Sequence, residues 1–101
     1  MAKLEIREQI TLDGKVVGII GGYSDYIDCL YIKPEYRRRG LAKEAVLKYI
    51  NGKIDEGIRF YLLNDNEEGL AFWNSICELK TVRGNSVVTL YEIVKIKEAE
   101  Q

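Results

Sequence analysis

The chain has 101 residues, of which 47% are apolar and 31% charged, and its formal net charge is −1. This length allows one domain with one core, and the net charge gives no general affinity for nucleic acid. The lack of histidine excludes Ser-His-Asp and Cys-His catalysis, and the two isolated cysteines predict neither a disulfide framework nor a zinc site.

The first part of the chain has the pattern of a β-hairpin. Residues 3–12 alternate apolar and polar side chains with period two, which predicts a strand. The Asp-Gly pair at 13–14 is a tight-turn signal, and residues 15–23 form the return strand. The Gly-Gly pair at 21–22, followed by Ser-Asp, marks a loop or a bulge.

A strand followed by a helix is predicted next. Residues 26–33 form a third strand, which ends at Pro34 because proline has no N–H to donate. From Leu41 the apolar spacing changes to 3.6 residues, which predicts a helix whose apolar stripe is Ala42, Ala45, Val46, Tyr49 and Ile50. The Asn-Gly-Lys stretch at 51–53 frays or ends this helix.

The remaining elements are a strand, a helix and a second hairpin. Residues 58–63 are a short apolar strand, and the strand-helix-strand succession predicts a parallel pair. A second helix with an acidic start is marked by Leu70, Phe72, Trp73, Ile76 and Cys77. Residues 79–83 and 87–97 close the chain as a hairpin across Gly-Asn at 84–85.

These elements give the order β-β-β-α-β-α-β-β, an α/β or α+β fold with a mixed sheet flanked by two helices. We expect one compact domain over residues 1–97 and a loose tail at 98–101. The N-terminus lacks a signal-peptide core, and the longest apolar run, at 16–23, is too short to span a bilayer. We therefore expect a reduced, cytoplasmic protein that binds no membrane.

The turn between the third strand and the first helix carries an unusual charge. From Lys33 to Lys43 there are five basic residues and one acid, and Gly40 stands directly before the helix. The unpaired N–H groups of a helix start attract phosphate, and glycine lets the backbone approach it. A solvated surface turn explains the same residues, and neither a Walker loop nor G-x-G-x-x-G is present.

Residues 27–47, "IDCLYIKPEYRRRGLAKEAVL", resemble motif A of the GNAT superfamily of N-acetyltransferases. That motif is a strand ending near a proline, then R/Q-x-x-G-x-G/A, then a helix. The hairpin "TLDGKVVG" at 11–18 is similar to the one before motif A in that family. Residues 66–79, "NEEGLAFWNSICEL", resemble motif B, with Asn66, Gly69, Phe72 and Trp73 at its positions. The resemblance covers residues 4–96.

The resemblance implies an enzyme that moves an acetyl group from acetyl-CoA to a primary amine by direct transfer, without a metal. The pyrophosphate would lie on the backbone N–H groups of residues 38–43, and the pantetheine arm would pair with the backbone of residues 30–32. A strand N–H near Ile32 would polarise the acetyl carbonyl. The implied cofactor-binding residues are Leu30, Tyr31, Ile32, Arg37, Arg38, Arg39, Gly40, Leu41, Ala42, Lys43, Asn66 and Trp73.

A primary ammonium must lose a proton before it attacks, and Asp28 is the candidate catalytic base. By alternation Asp28 shares a strand face with Leu30 and Ile32, and a carboxylate here is a base in some relatives. The alternative is a paired or solvent-facing strand carboxylate. Cys29 falls on the opposite face, and core packing is favoured for it because nothing nearby in sequence lowers its pKa.

Motif B leaves two alternatives open. Asn66 either binds the cofactor or caps the second helix. Trp73 is most simply a core residue, with contact to the cofactor thiol as a secondary role. It stands where the family often has a tyrosine that protonates the leaving thiolate, and indole is not a practical proton source.

The chain also begins about where the second strand of the family begins, so the acceptor side is open or is completed by another subunit. A catalytically weak or inactive acyl-CoA-binding regulatory module is therefore the alternative function. The expected partners are acetyl-CoA and an unidentified amine, with a homodimer possible and no nucleic acid. Contact between the arginines and nucleic acid is the weakest alternative.

Overall fold

A computed structural model describes residues 5–51 and 53–97 of the chain. The start of the predicted first strand, one residue of the 51–53 stretch and the predicted tail at 98–101 lie outside the described residues.

The strands and helices follow the predicted order. The strands are β1 (Ile6–Leu12), β2 (Lys15–Tyr23), β3 (Tyr26–Ile32), β4 (Arg59–Leu63), β5 (Cys77–Gly84) and β6 (Val88–Ile96). The helices are α1 (Leu41–Tyr49) and α2 (Glu67–Ile76), and short 3-10 turns cover Pro34–Tyr36 and Ile54–Glu56. The mixed sheet with two helices is the predicted fold class.

The sheet has the spatial order β1-β2-β3-β4-β6-β5. The two hairpins are antiparallel, and β3 and β4 form the predicted parallel pair across α1. Strand β6 lies between β4 and β5 and pairs antiparallel with both of them. The second hairpin therefore extends the sheet beyond β4.

The parallel pair joins at one end and separates at the other. Among the described residues, β3 and β4 share a single ladder position, Tyr26 opposite Arg59. The Arg59 N–H also donates to the carbonyl of Asp25 at 3.0 Å. Beyond this point the two strands diverge, so their facing edges are left open.

A bulge interrupts β3 at Asp28. Gly21 pairs with Cys29 and Gly22 pairs with Ile27, so Asp28 has no opposite residue in β2. The glycine pair thus marks a bulge within a continuous strand rather than a loop. The prediction that Asp28 shares the face of Leu30 and Ile32 is wrong, because strict alternation does not continue through an inserted residue.

Both helices pack apolar stripes onto the sheet. Helix α1 buries Val46 and Tyr49, and α2 buries Trp73 and Ile76. The Trp73 indole stacks on the Phe60 ring of β4 with centroids 4.1 Å apart, and it is only 5% exposed. No helix in the described ranges is long and apolar enough to cross a membrane.

Cys77 belongs to β5 rather than to the second helix, where the sequence predicted it. Its backbone is extended (φ −138°, ψ 154°), and its N–H caps α2 by donating to the Trp73 carbonyl. Helix and strand meet without a loop, and a fully buried thiol fits the apolar pattern of either element. Burial raises the pKa of this thiol to about 11.

Candidate functional site

The divergence of β3 and β4 opens a cleft of about 670 Å³. Its walls are the two strands, and the first turns of both helices form its rim. This places an open strand edge and two helix N-termini around one cavity, so the chemistry of each of these three parts decides what the cleft can bind.

The start of α1 leaves its backbone donors free. Gly40 precedes the helix in a left-handed conformation (φ 78°) and provides no side-chain cap. The first helical hydrogen bond runs from the N–H of Glu44 to the carbonyl of Gly40. The N–H groups of residues 38–43 have no hydrogen-bond partner within the described ranges. These donors lie at the positive end of the helix dipole, which favours an anion.

The three arginines before Gly40 have different surroundings. The Arg37 Nε donates to the Ile32 carbonyl at 2.8 Å, and its guanidinium lies 5.5 Å from the Tyr31 ring centroid. The Arg39 guanidinium lies 5.3 Å from the Tyr36 ring centroid and donates to the carbonyl of Glu35 at 3.4 Å. These two side chains fold back on the turn and fix its shape.

Arg38 is the arginine that remains available. It lines the cleft and makes no hydrogen bond or ion pair with the described part of the chain. Its backbone is left-handed (φ 65°), a conformation that costs a residue with a Cβ about 1–2 kcal/mol. The turn holds this strain while it presents Arg38 beside the open N–H groups.

The start of α2 is closed. The Asn66 side chain accepts a hydrogen bond from the Gly69 N–H at 2.9 Å, as an N-cap residue does. Glu67 and Glu68 add negative charge to the first turn. An anion is therefore attracted to α1 and repelled from α2.

The edge of β3 offers strand-type hydrogen bonds to the cleft. The Lys33 N–H donates to Val17 of β2, and the Tyr31 carbonyl lies against Gly18 of β2. Because backbone groups alternate in direction along a strand, Leu30 and Ile32 direct theirs to the cleft. The Ile32 carbonyl is occupied by Arg37. The groups that remain free are thus the N–H groups of Leu30 and Ile32 and the carbonyl of Leu30.

Asp28 is one of the two described carboxylates that line the cleft, the other being Glu68 of α2. The Arg7 side chain crosses over Gly21, where a Cβ would lie 3.1 Å from its guanidinium, and reaches Asp28 at 3.7 Å. A glycine at position 21 is what allows this crossing. Arg7 also pairs with Glu5. Asp28 is therefore a partly paired carboxylate on the bulge.

Two tyrosines continue the cleft from Asp28 to β4. The Tyr26 and Tyr61 rings meet edge to face with centroids 5.9 Å apart. Burial raises the pKa of Tyr26, and the neighbouring Tyr61 and Asp28 raise it further. The Tyr26 hydroxyl thus stays protonated at neutral pH.

Comparison of the sequence with models of protein families adds to this geometry. A family model described as the acetyltransferase (GNAT) family matches residues 7–77. The chain belongs to the GNAT family. The match runs from β1 to the first residue of β5, so it includes the arginine turn, both helices and strands β3 and β4, which line the cleft.

Solved structures share the fold. The coenzyme A complex of the PaiA N-acetyltransferase from Thermoplasma acidophilum superposes with a TM-score of 0.64 at 20% identity, covering 85% of this chain and 59% of that one. An acetyltransferase from Thermus thermophilus gives 0.69 at 19% identity, with 87% and 62% covered. A ribosomal-protein alanine N-acetyltransferase from Escherichia coli gives 0.67 at 16% identity, with 100% and 75% covered.

The GNAT chain described here thus spans about 60% of the first two of these structures. A search of curated proteins finds no significant match. At these identities the likeness concerns the fold, and the acceptor that each relative acts on does not transfer with it.

The cleft brings together nearly all the site residues that the sequence predicted. Those lining it are Asp28, Leu30, Tyr31, Ile32, Arg37, Arg38, Gly40, Leu41, Ala42, Lys43, Asn66 and Trp73. Arg39 alone is absent from the lining and packs on Tyr36. The backbone polar groups of Tyr31 face β2, so this residue contributes its side chain. Asn66 is a helix cap, and Trp73 is a core residue whose edge reaches the cleft.

Sequence reasoning missed the tyrosine pair. Tyr26 and Tyr61 stand on separate strands, and only the parallel register between those strands brings their rings together. The alternation of Phe60 and Tyr61 was the available signal that one of them faces away from the helices. Residues 5–51 and 53–97 contain no cluster of three His, Cys, Asp or Glu side chains able to hold a metal.

Proposed function

We propose that this GNAT protein transfers the acetyl group of acetyl-CoA directly to a primary amine. The observation that carries the proposal is the single cleft in which the free N–H groups of residues 38–43 adjoin the open edge of β3. Free N–H groups at a helix start bind a pyrophosphate, and an open strand edge pairs with an extended arm that contains amides.

The pyrophosphate lies on the uncapped start of α1 in this proposal. The N–H groups of residues 38–43 donate to its oxygens, and Arg38 and Lys43 supply positive charge from the rim. Gly40 allows close approach, because the space beside its Cα is empty to beyond 4 Å. Arg37 supports the turn by donating a hydrogen bond to the Ile32 carbonyl.

The amide-containing arm lies along β3 as an added strand. The Leu30 N–H and carbonyl bind its amides, and the Ile32 N–H is aimed at the thioester carbonyl. A donor in this position stabilises the negative charge that develops on the carbonyl oxygen during attack. Since Arg37 occupies the Ile32 carbonyl, the arm ends its pairing at that residue.

The transfer removes two protons from the ammonium nitrogen, one before it attacks and one as the amide forms, and it supplies one proton to the sulfur. The amine nitrogen attacks the carbonyl carbon, the carbon–sulfur bond breaks, and the sulfur leaves as a thiolate. Asp28, directly or through water, takes the first proton of the ammonium and passes it to solvent, and the second proton leaves the nitrogen through water as the carbon–sulfur bond breaks. Trp73 is stacked in the core and supplies no proton, so the thiolate is protonated by water or by a cleft tyrosine.

Calorimetric titration with acetyl-CoA and with free CoA, followed by thiol release on addition of amines, tests the proposal. We expect micromolar binding of both ligands and thiol release with at least one class of amine. Asp28→Asn should keep the cofactor affinity and reduce turnover by about 100-fold or more. Absence of binding at physiological salt would refute the proposal.

A second candidate function is an acyl-CoA-binding module with little catalysis. The observations that favour it are the ion pair with Arg7, which engages the carboxylate of Asp28, and the burial of Trp73 where a proton donor is needed. Both functions require the same binding. Binding without thiol release across amines of all classes would select the module.

A further inference from the structure

A second cavity, of about 500 Å³, adjoins the cleft on the far side of Tyr61. Its lining is Tyr61 of β4 with Arg83, Gly84, Asn85 and Val88 of the β5–β6 hairpin. Tyr61, Leu90 and Arg83 are paired in register across β4, β6 and β5, so they occupy one row of the same sheet face. The Tyr61 ring is the wall that the two cavities share.

The hairpin that forms this cavity is held in place before any ligand binds. The Asn85 side-chain oxygen accepts hydrogen bonds from the N–H groups of Val87 at 2.8 Å and Val88 at 2.9 Å. Asn64, at the end of β4, donates its N–H to the Val87 carbonyl and its side-chain amide to the Asn85 carbonyl, both at 2.8 Å. The turn is therefore fixed to the same strand that carries Tyr61.

Among the described residues, Arg83 is the single charged one that lines this cavity. Its guanidinium donates a long hydrogen bond of 3.4 Å to the Tyr61 hydroxyl and forms no ion pair with any described residue. The other arginines on strands differ, since Arg7 pairs with Glu5 and Asp28, and Arg59 pairs with Glu92 at 2.9 Å. The cavity thus contains a guanidinium that makes one long hydrogen bond and no ion pair with the described residues.

A row of side chains leads from this cation to the proposed base. Arg83 contacts the Tyr61 hydroxyl, the Tyr61 ring contacts Tyr26, and Tyr26 lines the same cleft as Asp28, which lies two residues further along β3. A molecule lying across Tyr61 would place one end at Asp28 and the other at Arg83. Asp28 and Arg83 attract groups of opposite charge, because a carboxylate attracts an ammonium and a free guanidinium attracts an acid.

We infer that the acceptor is an amine that carries a carboxylate or phosphate group, which Arg83 binds in the hairpin cavity. This inference rests on the proposed function for the identity of the amine end. It assigns Arg83 as a specificity-determining residue, with Tyr61 as the surface over which the acceptor lies. Because hydrogen bonds already fix the β5–β6 hairpin, less conformational entropy is lost when the acceptor binds.

The test compares acceptors matched in length. Steady-state thiol release is measured with 5-aminopentanoate against pentylamine, and with O-phosphoethanolamine against ethanolamine to separate the two kinds of acid. We expect kcat/KM to be about tenfold higher for at least one acidic amine than for its neutral match, which a charge-assisted pair can supply. Arg83→Gln should remove this preference, whereas Arg83→Lys should retain part of it.

Lys95→Gln is the matched control, because it removes one positive charge from an exposed position of β6 away from both cavities. It should keep the preference. Equal kcat/KM for both members of each pair, or a preference that survives Arg83→Gln, would overturn the inference. Loss of the preference in Lys95→Gln would also overturn it, since the effect would then be one of net charge.

A readout that needs no turnover separates this inference from the proposed function. Backbone amide spectra of the CoA-loaded protein are followed during titration with 5-aminopentanoate, O-phosphoethanolamine and pentylamine. Shifts at Gly84 and Asn85 with either acidic amine but not with pentylamine, lost in Arg83→Gln, would support the cavity assignment even if no amine is acetylated. Unchanged shifts with both acidic amines would overturn it even if acetylation of other amines is found.

Discussion

Two helices begin at the rim of the same cleft, and their first turns have opposite chemistry. Helix α1 follows Gly40, has no side-chain cap and is preceded by arginines. Helix α2 follows Asn66, which caps it at Gly69, and its first turn is acidic. Both ends have the same backbone dipole, so the difference lies entirely in the capping residue and the neighbouring charges.

Because of this difference, the start of α2 contributes to the stability of the fold and the start of α1 is available to bind a ligand. The capped start of α2 satisfies a backbone donor within the protein and so contributes to folding. The uncapped start of α1 leaves its donors unsatisfied, which costs stability and is useful only when a ligand provides the acceptors. The first three predictions below test whether substitutions at the two helix starts have separable effects.

The largest expected effect is at Gly40. Substitution Gly40→Val places a β-branched residue at φ 78° and in the space proposed for a phosphate, so the affinity for CoA should fall by about 100-fold or more. Gly14→Val is the matched control, because Gly14 has φ 80° and an equally open surrounding but lies in the first hairpin turn. Calorimetry and thermal unfolding are measured on both variants.

Both valine variants should lose similar stability, since the backbone strain is the same. Only Gly40→Val should lose CoA affinity. If the two variants bind CoA equally well, the start of α1 is an ordinary turn and the comparison between the helices has no functional meaning.

Arg38→Gly should change binding and stability in opposite directions. Loss of a charge-assisted contact should weaken CoA binding by about tenfold. Relief of the left-handed strain should offset the flexibility that glycine adds to the unfolded chain, for a gain of up to about 1 kcal/mol in the free energy of unfolding. Denaturant titration and calorimetry measure the two quantities, with Arg39→Gly as the variant expected to lose stability and keep affinity.

Asn66→Ala should affect mainly stability. Removal of the cap should lower the free energy of unfolding by about 1 kcal/mol, because the Gly69 N–H loses its acceptor. The CoA affinity should change by less than about threefold, since this end of the cleft attracts no anion. A larger loss of affinity would show that Asn66 contacts the cofactor and that both helix starts serve binding.

The smallest effect concerns the other end of α2. Because the Cys77 thiol has its pKa raised from 9.0 to about 11, the unfolded chain ionises first as the pH rises. Stability should therefore fall between about pH 9 and 11, and Cys77→Ala should reduce this slope. Denaturant titrations at half-unit pH steps measure it, and an unchanged slope would mean that the thiol is less buried than the structure shows. The pKa values of Tyr26 and Tyr49 are also raised, so these residues should lower stability as the pH rises above the ordinary pKa of tyrosine.

The sequence predicted the order of elements because each change of apolar period reports a local backbone state. The first hairpin, the strand that ends at Pro34 and the helix from Leu41 all follow from neighbouring residues. The arginine turn was identified in the same way, since its charge, glycine and helix start are contiguous. Local chemistry of this kind needs no knowledge of the rest of the chain.

Features that depend on distant pairing were not predictable. The bulge at Asp28 arises from the register between β2 and β3, and alternation within one strand cannot reveal an inserted residue. The position of β6 inside the sheet, and with it the cavity at Arg83, depends on which strand the last hairpin joins. Cys77 was assigned to the wrong element because a buried residue between a helix and a strand fits the apolar spacing of both.

The single ladder position between Tyr26 and Arg59 has a consequence for the whole molecule. It divides the six-stranded sheet into two three-stranded halves, β1-β2-β3 and β4-β6-β5, whose edges face each other across the cleft. Under the proposed function, the acyl carrier occupies this gap and supplies the hydrogen bonds that the missing ladder would have made. Folding and ligand binding are then coupled equilibria. The resistance of this protein to unfolding should therefore follow the concentration of the carrier around it.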